Sequence, residues 1–438
     1  MSTGSRPARS AALVVAVGAA MFVDAMLYSV VVPLLPSFAQ RFGAGPVGMT
    51  VLYAGYAAAL LLATPVVGRL GDRTGHRLGF LAGTVAVAVA TLAFATADSY
   101  PALFVARCVQ GAAAAAVWTS GIALVAGRVE AGKVGAALGT LMAAMSMGLI
   151  VGPPLGGLLL DRAGPGAPFV ACALAAAGVA LLAPIAVRGG PGQAGGRQGP
   201  APVRDVLGGT GVPATLAAVI AGAAGLSLLE PLLPLDVTSR LGAGPLAIGL
   251  VFGLATLANG LAGPLAGIAA DRRPGAPAIP IGLVAMGLLT LPIARLGRIT
   301  AVAAVLAGFA IAYSFVLVTA MARLARLAEP ARGAEGSGEG SGDGPAYGSG
   351  YGTVYAAFNI AYAVGMVAGP LAGGLAVTAA GTSAAYTVGG LALVACGAAL
   401  MGRGRSRSSR STGPLLIGAA PAFHPTRDPC LTRASPRP

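Results

Sequence analysis

The feature that most constrains the fold is a series of long apolar runs that are almost free of charge. A transmembrane helix needs about 20 mainly apolar residues, because the hydrocarbon core of a bilayer is about 30 Å thick. Between charges and Gly/Pro turns the sequence holds twelve such runs: 11–36, 48–68, 78–97, 101–126, 133–160, 166–187, 211–235, 246–269, 276–295, 299–326, 350–378 and 383–402. Only 10% of the 438 residues are charged, whereas a soluble domain has about 25%. We therefore expect an all-α membrane protein with twelve transmembrane helices.

Three polar segments divide or end this series. The Gly/Pro-rich segment 188–210 is predicted to be a cytoplasmic linker between an N-terminal half, 1–187, and a C-terminal half, 211–402. The stretch at about 329–349 contains AEGSGEGSGDGP and is predicted to be a disordered loop. The tail 403–438 is basic and rich in Ser and Pro, which predicts a disordered cytoplasmic segment.

The Lys and Arg residues predict the orientation. If the N-terminus is inside, the inside segments hold 22 of the 28 cations and the outside segments hold 5, while Arg107 lies within a span. Cytoplasmic segments carry the excess of Lys and Arg, so both termini are expected in the cytoplasm of a cell inner (plasma) membrane. This topology explains the net charge of +14 without nucleic-acid binding. The pair Arg295 and Arg298 is a local departure from the bias.

The two halves also match each other in sequence. The matching pairs are 33–46 with 231–245 and 152–157 with 369–374. The offset is 199 residues between Arg41 and Arg240 and 217 residues in the second pair. A repeat of six helices plus six predicts two pseudo-symmetric halves, which is the architecture of major facilitator transporters, with a substrate site near the midplane between the halves.

The loop 68–79, GRLGDRTGHRLG, joins the second and third spans. We expect its glycines to allow a tight turn, and Asp72 to cap the next helix and pair with Arg73 or Arg77. An ordinary cytoplasmic turn would explain the same residues. The spacing nevertheless resembles the G-x-x-x-D-R-x-G-R-[KR] signature of the major facilitator superfamily, with His76 in place of one basic residue. The resemblance implies a gating loop formed by Gly68, Asp72, Arg73, Gly75 and Arg77.

Arg107 is a cation inside an apolar run. A charge at bilayer depth costs at least about 2.5 kcal/mol, so it should face the bundle interior and a partner. The alternative is an Arg that extends outward to the interface. The R-x-x-Q-G pattern of Arg107, Gln110 and Gly111 resembles the fourth-helix signature of proton-coupled facilitator antiporters, which implies a role for Arg107 in proton coupling.

The segment GLIVGPPLGG, 148–157, places Gly148, Gly152 and Gly156 on one helix face. This predicts close packing against a neighbouring helix. It also resembles the G-x-x-x-G-P-x-x-G-G motif that marks antiporters, the exporters of the superfamily. The residues assigned to the motif are Gly148, Gly152, Pro153, Gly156 and Gly157.

Asp24 and Glu230 are the two acids that lie well within predicted spans. An intramembrane acid is by default a functional site, and it can exchange protons and attract a cation. Two structural interpretations stay open: Asp24 could be a polar contact between helices or the partner of Arg107, and Glu230 could be an interfacial acid.

The sequences around these acids resemble the vesicular amine transporters. VDAMLYSVVVPLLPSF (23–38) resembles L-D-N-M-L-x-x-V-V-V-P-I-I-P, LLEPLLPL (228–235) resembles M-L-E-P-A-L-P, and 351–374 resembles an eleventh-helix segment. The resemblance implies the drug:proton antiporter branch of the superfamily, which also contains bacterial multidrug efflux proteins. Four positions depart from it: Asn359 replaces an acid, Ala25 replaces an Asn, and a Lys–acid pair is replaced by Tyr56 and an apolar residue near Leu393.

These observations predict a proton-coupled antiporter that exports a small cationic or amphipathic compound by alternating access. Asp24, Glu230 and Arg107 are its candidate coupling residues. It is expected to be a monomer that uses the proton gradient without a bound cofactor or metal. The candidate cavity residues are Tyr28, Tyr56, Gln110, Trp118, Phe358, Asn359 and Tyr362.

Two alternatives remain open. The chain could export another class of metabolite, such as sugars, or it could be a membrane sensor. An enzyme is not expected, because neither a nucleophile elbow nor a phosphate-binding loop is present and the two His, His76 and His424, lie in a loop and in the tail.

Overall fold

The computed structural model describes residues 5–187, 211–273, 277–328 and 349–411. Its helices are α1 (Ser5–Val30), α2 (Leu35–Phe42), α3 (Gly45–Thr74), α4 (His76–Ala95), α5 (Tyr100–Arg128), α6 (Val134–Ala163), α7 (Ala167–Ala186), α8 (Val212–Leu241), α9 (Pro245–Arg272), α10 (Ala278–Thr290), α11 (Ile299–Ala328) and α12 (Ser349–Ser411). Short 3₁₀ turns cover Val32–Leu34, Ala131–Lys133 and Ile293–Arg295. The predicted linker 188–210, nearly all of the predicted loop and the tail after Ser411 lie outside the described residues.

Eleven helical stretches of the described chain are long and apolar enough to cross a membrane. The last apolar stretch, Ala356–Gly402, has 47 residues, and about 1.5 Å per residue makes it far longer than one bilayer crossing. It is broken at Gly381, where φ is 81° and ψ is 174°. The two arms of α12, 349–380 and 382–411, therefore correspond to the last two of the twelve predicted spans.

Several helix ends differ from the predicted ones, for local reasons. The first predicted span, 11–36, includes a 3₁₀ turn that contains Pro33 and is followed by α2. The ninth predicted span, 276–295, is interrupted at Pro292, which directly precedes the 3₁₀ turn Ile293–Arg295. Proline lacks the N–H that a continuous helix requires. The backbone of α12 is helical to Ser411, so this helix continues into residues 403–411 at the beginning of the predicted tail.

The helix surface that faces away from the bundle is strongly apolar. Leu62 is 72% exposed, Leu181 is 76% exposed and Leu375 is 70% exposed. Soluble monomers rarely expose extended apolar surface of this kind, and a bilayer would cover it.

The sequence repeat is also a repeat of contacts. Gly148 and Gly152 of α6 lie against the backbone of Phe22 and the Ser29 side chain of α1. In the C-terminal half, Gly365 and Gly369 of α12 lie in the same way against the backbone of Ile220 and the side chain of Ser227 in α8. The two serine hydroxyls contact equivalent carbonyls, Ser29 that of Gly148 at 3.5 Å and Ser227 that of Gly365 at 3.2 Å. The predicted close packing of Gly148, Gly152 and Gly156 is therefore the α1–α6 contact.

A second pair of repeated contacts ties helix ends to loops. The Arg41 guanidinium donates to the carbonyl oxygen of Ala97 at 3.3 Å. Arg240 donates to the equivalent oxygen of Leu296, 199 residues later in the chain. Arg240 also forms an ion pair with Asp236 at 2.9 Å. Arg41 and Arg240 both lie in segments that the Lys and Arg count assigned to the outside. Each of them holds one short interhelical loop in place.

The two halves contact each other at the end of the bundle opposite the loop 68–79. There, Gly157 of α6 lies against Pro245 of α9, and the Leu246 amide donates to Asp161 Oδ2 at 3.3 Å. At the same end of the bundle, Gly374 of α12 lies against Thr50 of α3. In contrast, a Cβ atom added at Gly68 or Gly75 would meet nothing within 4 Å. The cleft between the halves is therefore closed at the end opposite the loop 68–79, by contacts of α6 with α9 and of α12 with α3.

Candidate functional site

Asp24 lies six residues before the end of α1 and is only 4% exposed. Its carboxylate accepts a hydrogen bond from Trp118 Nε1 of α5 at 2.8 Å and a longer one from the Tyr56 hydroxyl of α3 at 3.3 Å. Both donors are neutral groups, and no cation of the described chain lies within 4 Å of this carboxylate. Asp24 is thus held in place by hydrogen bonds from two neutral side chains.

Arg107 is completely buried in α5. Its guanidinium carbon lies 4.6 Å from the ring centroid of Tyr56 and 5.5 Å from those of Tyr28 and Tyr53. It donates hydrogen bonds to the Tyr28 carbonyl oxygen and to Gln110 Oε1, both at 3.2 Å. A desolvated cation–π contact can contribute about 2 kcal/mol, so three aromatic faces replace much of the lost hydration. The interpretation that Arg107 extends to the interface is wrong.

Arg107 is not an ion-pair partner of Asp24. Among the described residues no carboxylate lies within 4 Å of the guanidinium. Tyr56 contacts both groups instead, because its ring faces Arg107 and its hydroxyl donates to Asp24. The cation and the acid are therefore connected through one aromatic side chain.

Gln110 was predicted to line the substrate cavity, and the structure places it elsewhere. It is 3% exposed, and its Nε2 donates to Thr91 Oγ1 of α4 at 3.3 Å. Its amide is bonded to Thr91 and Arg107, both within the N-terminal half. Gln110 positions Arg107 and joins α5 to α4.

Glu230 lies in α8 of the C-terminal half and is partly exposed. Its Oε2 accepts a hydrogen bond from the Tyr28 hydroxyl of α1 at 2.7 Å. Because Tyr28 also contacts Arg107, each of the two acids is linked to the same cation by a tyrosine. The structure thus brings Asp24, Glu230, Arg107, Tyr28, Tyr56 and Trp118 into one cluster, and their roles in coupling and substrate binding stay predictions.

The other predicted cavity residues lie on the first arm of α12. The rings of Phe358 and Tyr362 stack with centroids 6.5 Å apart, and the Tyr362 hydroxyl lies 3.2 Å from that of Tyr313 in α11. Both Phe358 and Tyr362 are partly buried, whereas Asn359 is exposed. The Phe358–Tyr362 pair is therefore packed against α11 within the C-terminal half, and Asn359 is not part of this pair.

Sequence reasoning missed three residues of this region. Tyr53 lies three positions before Tyr56 and hence on the same helix face, so its spacing could have indicated a second ring at Arg107. Thr91 and Tyr313 carried no comparable signal, because single polar groups in apolar helices are common and their partners are distant in sequence.

The loop 68–79 differs from its predicted contacts. Gly75 precedes α4 with a φ of 87°, a left-handed conformation that glycine adopts without strain. Asp72 lies in the last turn of α3, so it cannot cap α4, and it approaches His76 Nε2 at 3.7 Å rather than Arg73 or Arg77. The expected cap and ion pairs of Asp72 were therefore wrong. Asp72, Arg73, Gly75 and Arg77 are exposed, and Gly68 is half-buried.

Residues 17–338 and 215–425 match the Major Facilitator Superfamily, and the two matches together span most of the chain. The chain belongs to this superfamily. As a facilitator it is a multi-pass membrane transporter, and the two six-helix halves described above are the fold of the superfamily.

Curated relatives of this facilitator include named acetylcholine transporters. A probable vesicular acetylcholine transporter-B of Danio rerio is 38% identical over 181 residues, 39% of this chain and 37% of that protein. A vesicular acetylcholine transporter of Drosophila melanogaster is 33% identical over 190 residues, 37% of this chain and 33% of that protein. This facilitator thus matches less than two fifths of the length of either relative.

A solved structure resembles the whole facilitator. The crystal structure of a bacterial homolog to the human lysosomal transporter Spinster, inward-facing and unoccupied, covers 93% of this chain and 98% of its own. The TM-score is 0.74 at 14% sequence identity. At this identity the likeness establishes the fold alone.

Proposed function

We propose that this facilitator is a proton-driven antiporter that exports a small cationic or amphipathic compound. The observation that carries the proposal is the buried Asp24, an acid whose hydrogen-bond donors are the neutral side chains of Tyr56 and Trp118. A carboxylate inside an apolar bundle favours either a proton or a cation, and aromatic faces attract organic cations. Substrate and proton can therefore compete for one group.

The relatives support a cationic substrate. They are named as transporters of acetylcholine, which is a quaternary ammonium ion. The resemblance of 148–157 to the antiporter motif supports export. The excess of Lys and Arg in the predicted inside segments supports an orientation in the cell membrane with both termini in the cytoplasm.

The transport cycle follows from alternating access. Substrate enters the cleft from the cytoplasm, on the side of the loop 68–79, and binds at ionised Asp24. Opening of the opposite end exposes the site to a higher proton concentration, and protonation of Asp24 releases the cation. A single chain contains both halves of the cleft, which supports a functional monomer. The proton gradient supplies the energy, and no bound cofactor is required.

Transport in reconstituted vesicles tests the proposal. The full chain is reconstituted into proteoliposomes with an acidic interior, and uptake of ethidium, acetylcholine and glucose is measured. We expect one or both cations to accumulate, glucose not to accumulate, and the accumulation to collapse when nigericin dissipates the pH gradient.

Two results would contradict the proposal in different ways. Uptake that does not depend on the pH gradient would overturn proton coupling. Accumulation of glucose in place of both cations would instead favour an exporter of neutral metabolites and overturn the assigned substrate class.

A further inference from the structure

Tyr28 is fixed to the N-terminal half through Arg107. Its carbonyl oxygen accepts a hydrogen bond from the guanidinium at 3.2 Å, and its ring centroid lies 5.5 Å from the guanidinium carbon. It also packs against two neighbouring rings, with centroid distances of 5.6 Å to Tyr53 and 5.1 Å to Tyr56. The orientation of Tyr28 therefore depends on the buried cation. In the first-helix pattern that the chain resembles, this position is one at which any residue is allowed.

The hydroxyl of Tyr28 reaches the other half of the molecule. It donates to Glu230 Oε2 at 2.7 Å, a short distance that is typical of an O–H donor to an ionised carboxylate. Because α1 and α8 belong to different halves, this single bond joins them inside the cleft. A protonated Glu230 would still accept the bond, but more weakly, since the charge that strengthens it is gone.

The Tyr28–Glu230 bond lies toward the closed end of the cleft. Ser29, next to Tyr28, packs against Gly152 of α6. Five residues later, Gly157 contacts Pro245 of the C-terminal half, and five residues of helix span about 7.5 Å. Opening this end of the cleft moves α8 away from α1, and the Tyr28–Glu230 bond must break.

We propose that Tyr28 is the positioning residue through which the charge on Glu230 holds the two halves together at this end, with Arg107 as its anchor. Ionised Glu230 then favours the conformation that is open at the loop 68–79, and protonated Glu230 favours the opposite one. This inference rests on the proposed function, because it takes Glu230 as a group that is protonated during the cycle.

Other ionisable groups surround Glu230. Those that interact with it are Tyr28 of α1, Tyr53 of α3, Arg107 of α5, Tyr313 of α11 and Tyr362 of α12. In the described part of the chain Arg107 is the one cation among them. Asp24 is the other acid that is proposed to exchange a proton, but its hydrogen-bond donors Trp118 and Tyr56 belong to its own half, so its charge does not act across the Tyr28–Glu230 bond.

Distance measurements between the halves test this role without any substrate. Spin labels at Thr74→Cys and Arg273→Cys, two exposed positions that are related by the repeat, report how far the loop-bearing ends are apart. The background lacks the native cysteines Cys108, Cys172, Cys396 and Cys430. Distance distributions are recorded by double electron–electron resonance from pH 5 to pH 9.

Acidification should shift the parent protein toward the shorter distance. Tyr28→Phe keeps the ring and the backbone bond but removes the hydroxyl. At high pH we expect this variant to lower the ratio of the long-distance to the short-distance population by on the order of tenfold. We also expect its distance distribution to depend less on pH than that of the parent. Tyr386→Phe is the matched control, because the Tyr386 hydroxyl is also buried and has no hydrogen-bond partner in the described part of the chain, and this residue lies outside the cluster around Arg107; its profile should match that of the parent.

Glu230→Gln provides the second variant if Tyr28→Phe does not fold. It should reproduce the shift at high pH, and addition of Tyr28→Phe should add little further change. A parental profile in either single variant overturns the role of Tyr28. If Tyr28→Phe shifts the distances while the parent shows no gradient-driven uptake, the role of Tyr28 stands and the proposed function fails.

Discussion

Replacing Asp24 by Asn is expected to reduce cation accumulation driven by a pH gradient to the level of protein-free vesicles. The amide has nearly the same size and its oxygen can still accept the hydrogen bond from Trp118, so the helix packing should persist. It cannot carry a charge or exchange a proton, which removes the step that couples the two fluxes. The measurement is ethidium or acetylcholine uptake into acid-loaded proteoliposomes.

The control for this variant is Asp98→Asn, which makes the same chemical change at an exposed acid in the α4–α5 loop. It should leave uptake unchanged. Gradient-driven accumulation by Asp24→Asn at the parental rate would show that another group couples the proton. Since Asn359 replaces the eleventh-helix acid of the transporters that the chain resembles, Glu230 would then be the remaining intramembrane candidate among the described residues.

The second large effect is expected at the contact between α1 and α6. A Cβ atom at Gly148 would lie against the carbonyl oxygen of Phe22 and 3.0 Å from the Met26 amide nitrogen. These are backbone atoms, so they can move only if the two helices separate. Gly148→Ala should therefore lower the free energy of unfolding by about 1–3 kcal/mol, and thermal unfolding in detergent would report it as a lower Tm.

The matched control lies in the same helix. A Cβ atom at Gly139 would meet nothing within 4 Å, so Gly139→Ala should be neutral or should stabilise by up to about 1 kcal/mol through helix propensity. Gly365→Ala, the equivalent of Gly148 in the second half, should be destabilised to a similar extent. Equal Tm values for Gly148→Ala and Gly139→Ala would contradict the close approach of α1 and α6.

Much of the fold could be predicted from the sequence, because a bilayer imposes a minimum length on apolar runs and a repeat imposes equivalent contacts. The close packing of the Gly148, Gly152 and Gly156 face is an example, whereas its partner Ser29 and the Gly–Ser contacts of the second half were not predicted. The helix interruption near Pro292 was not predicted, because proline is also found inside long helices of this chain, as at Pro65 and Pro264. Which prolines end a helix depends on the packing around them.

The candidate site was predicted less completely. Isolated charges in apolar runs indicated Asp24, Glu230 and Arg107, because each such charge needs a functional or structural reason. Their partners could not be predicted, since Tyr28 and Glu230 are 202 positions apart and only the tertiary fold brings them together. For Asp72 the opposite holds. The local sequence suggested Arg73 or Arg77 as its partner, but α3 continues to Thr74 and Asp72 approaches His76 instead.

The hydrogen bond from Trp118 to Asp24 also gives the chain an optical probe of its own. Trp118 is the sole tryptophan in the sequence, so indole emission excited beyond the tyrosine absorption band originates from one side chain. Indole fluorescence responds to a charge next to its N–H group. Occupancy of the carboxylate, by a proton or by a ligand, can therefore be followed in real time in the unlabelled protein, including variants whose transport is lost.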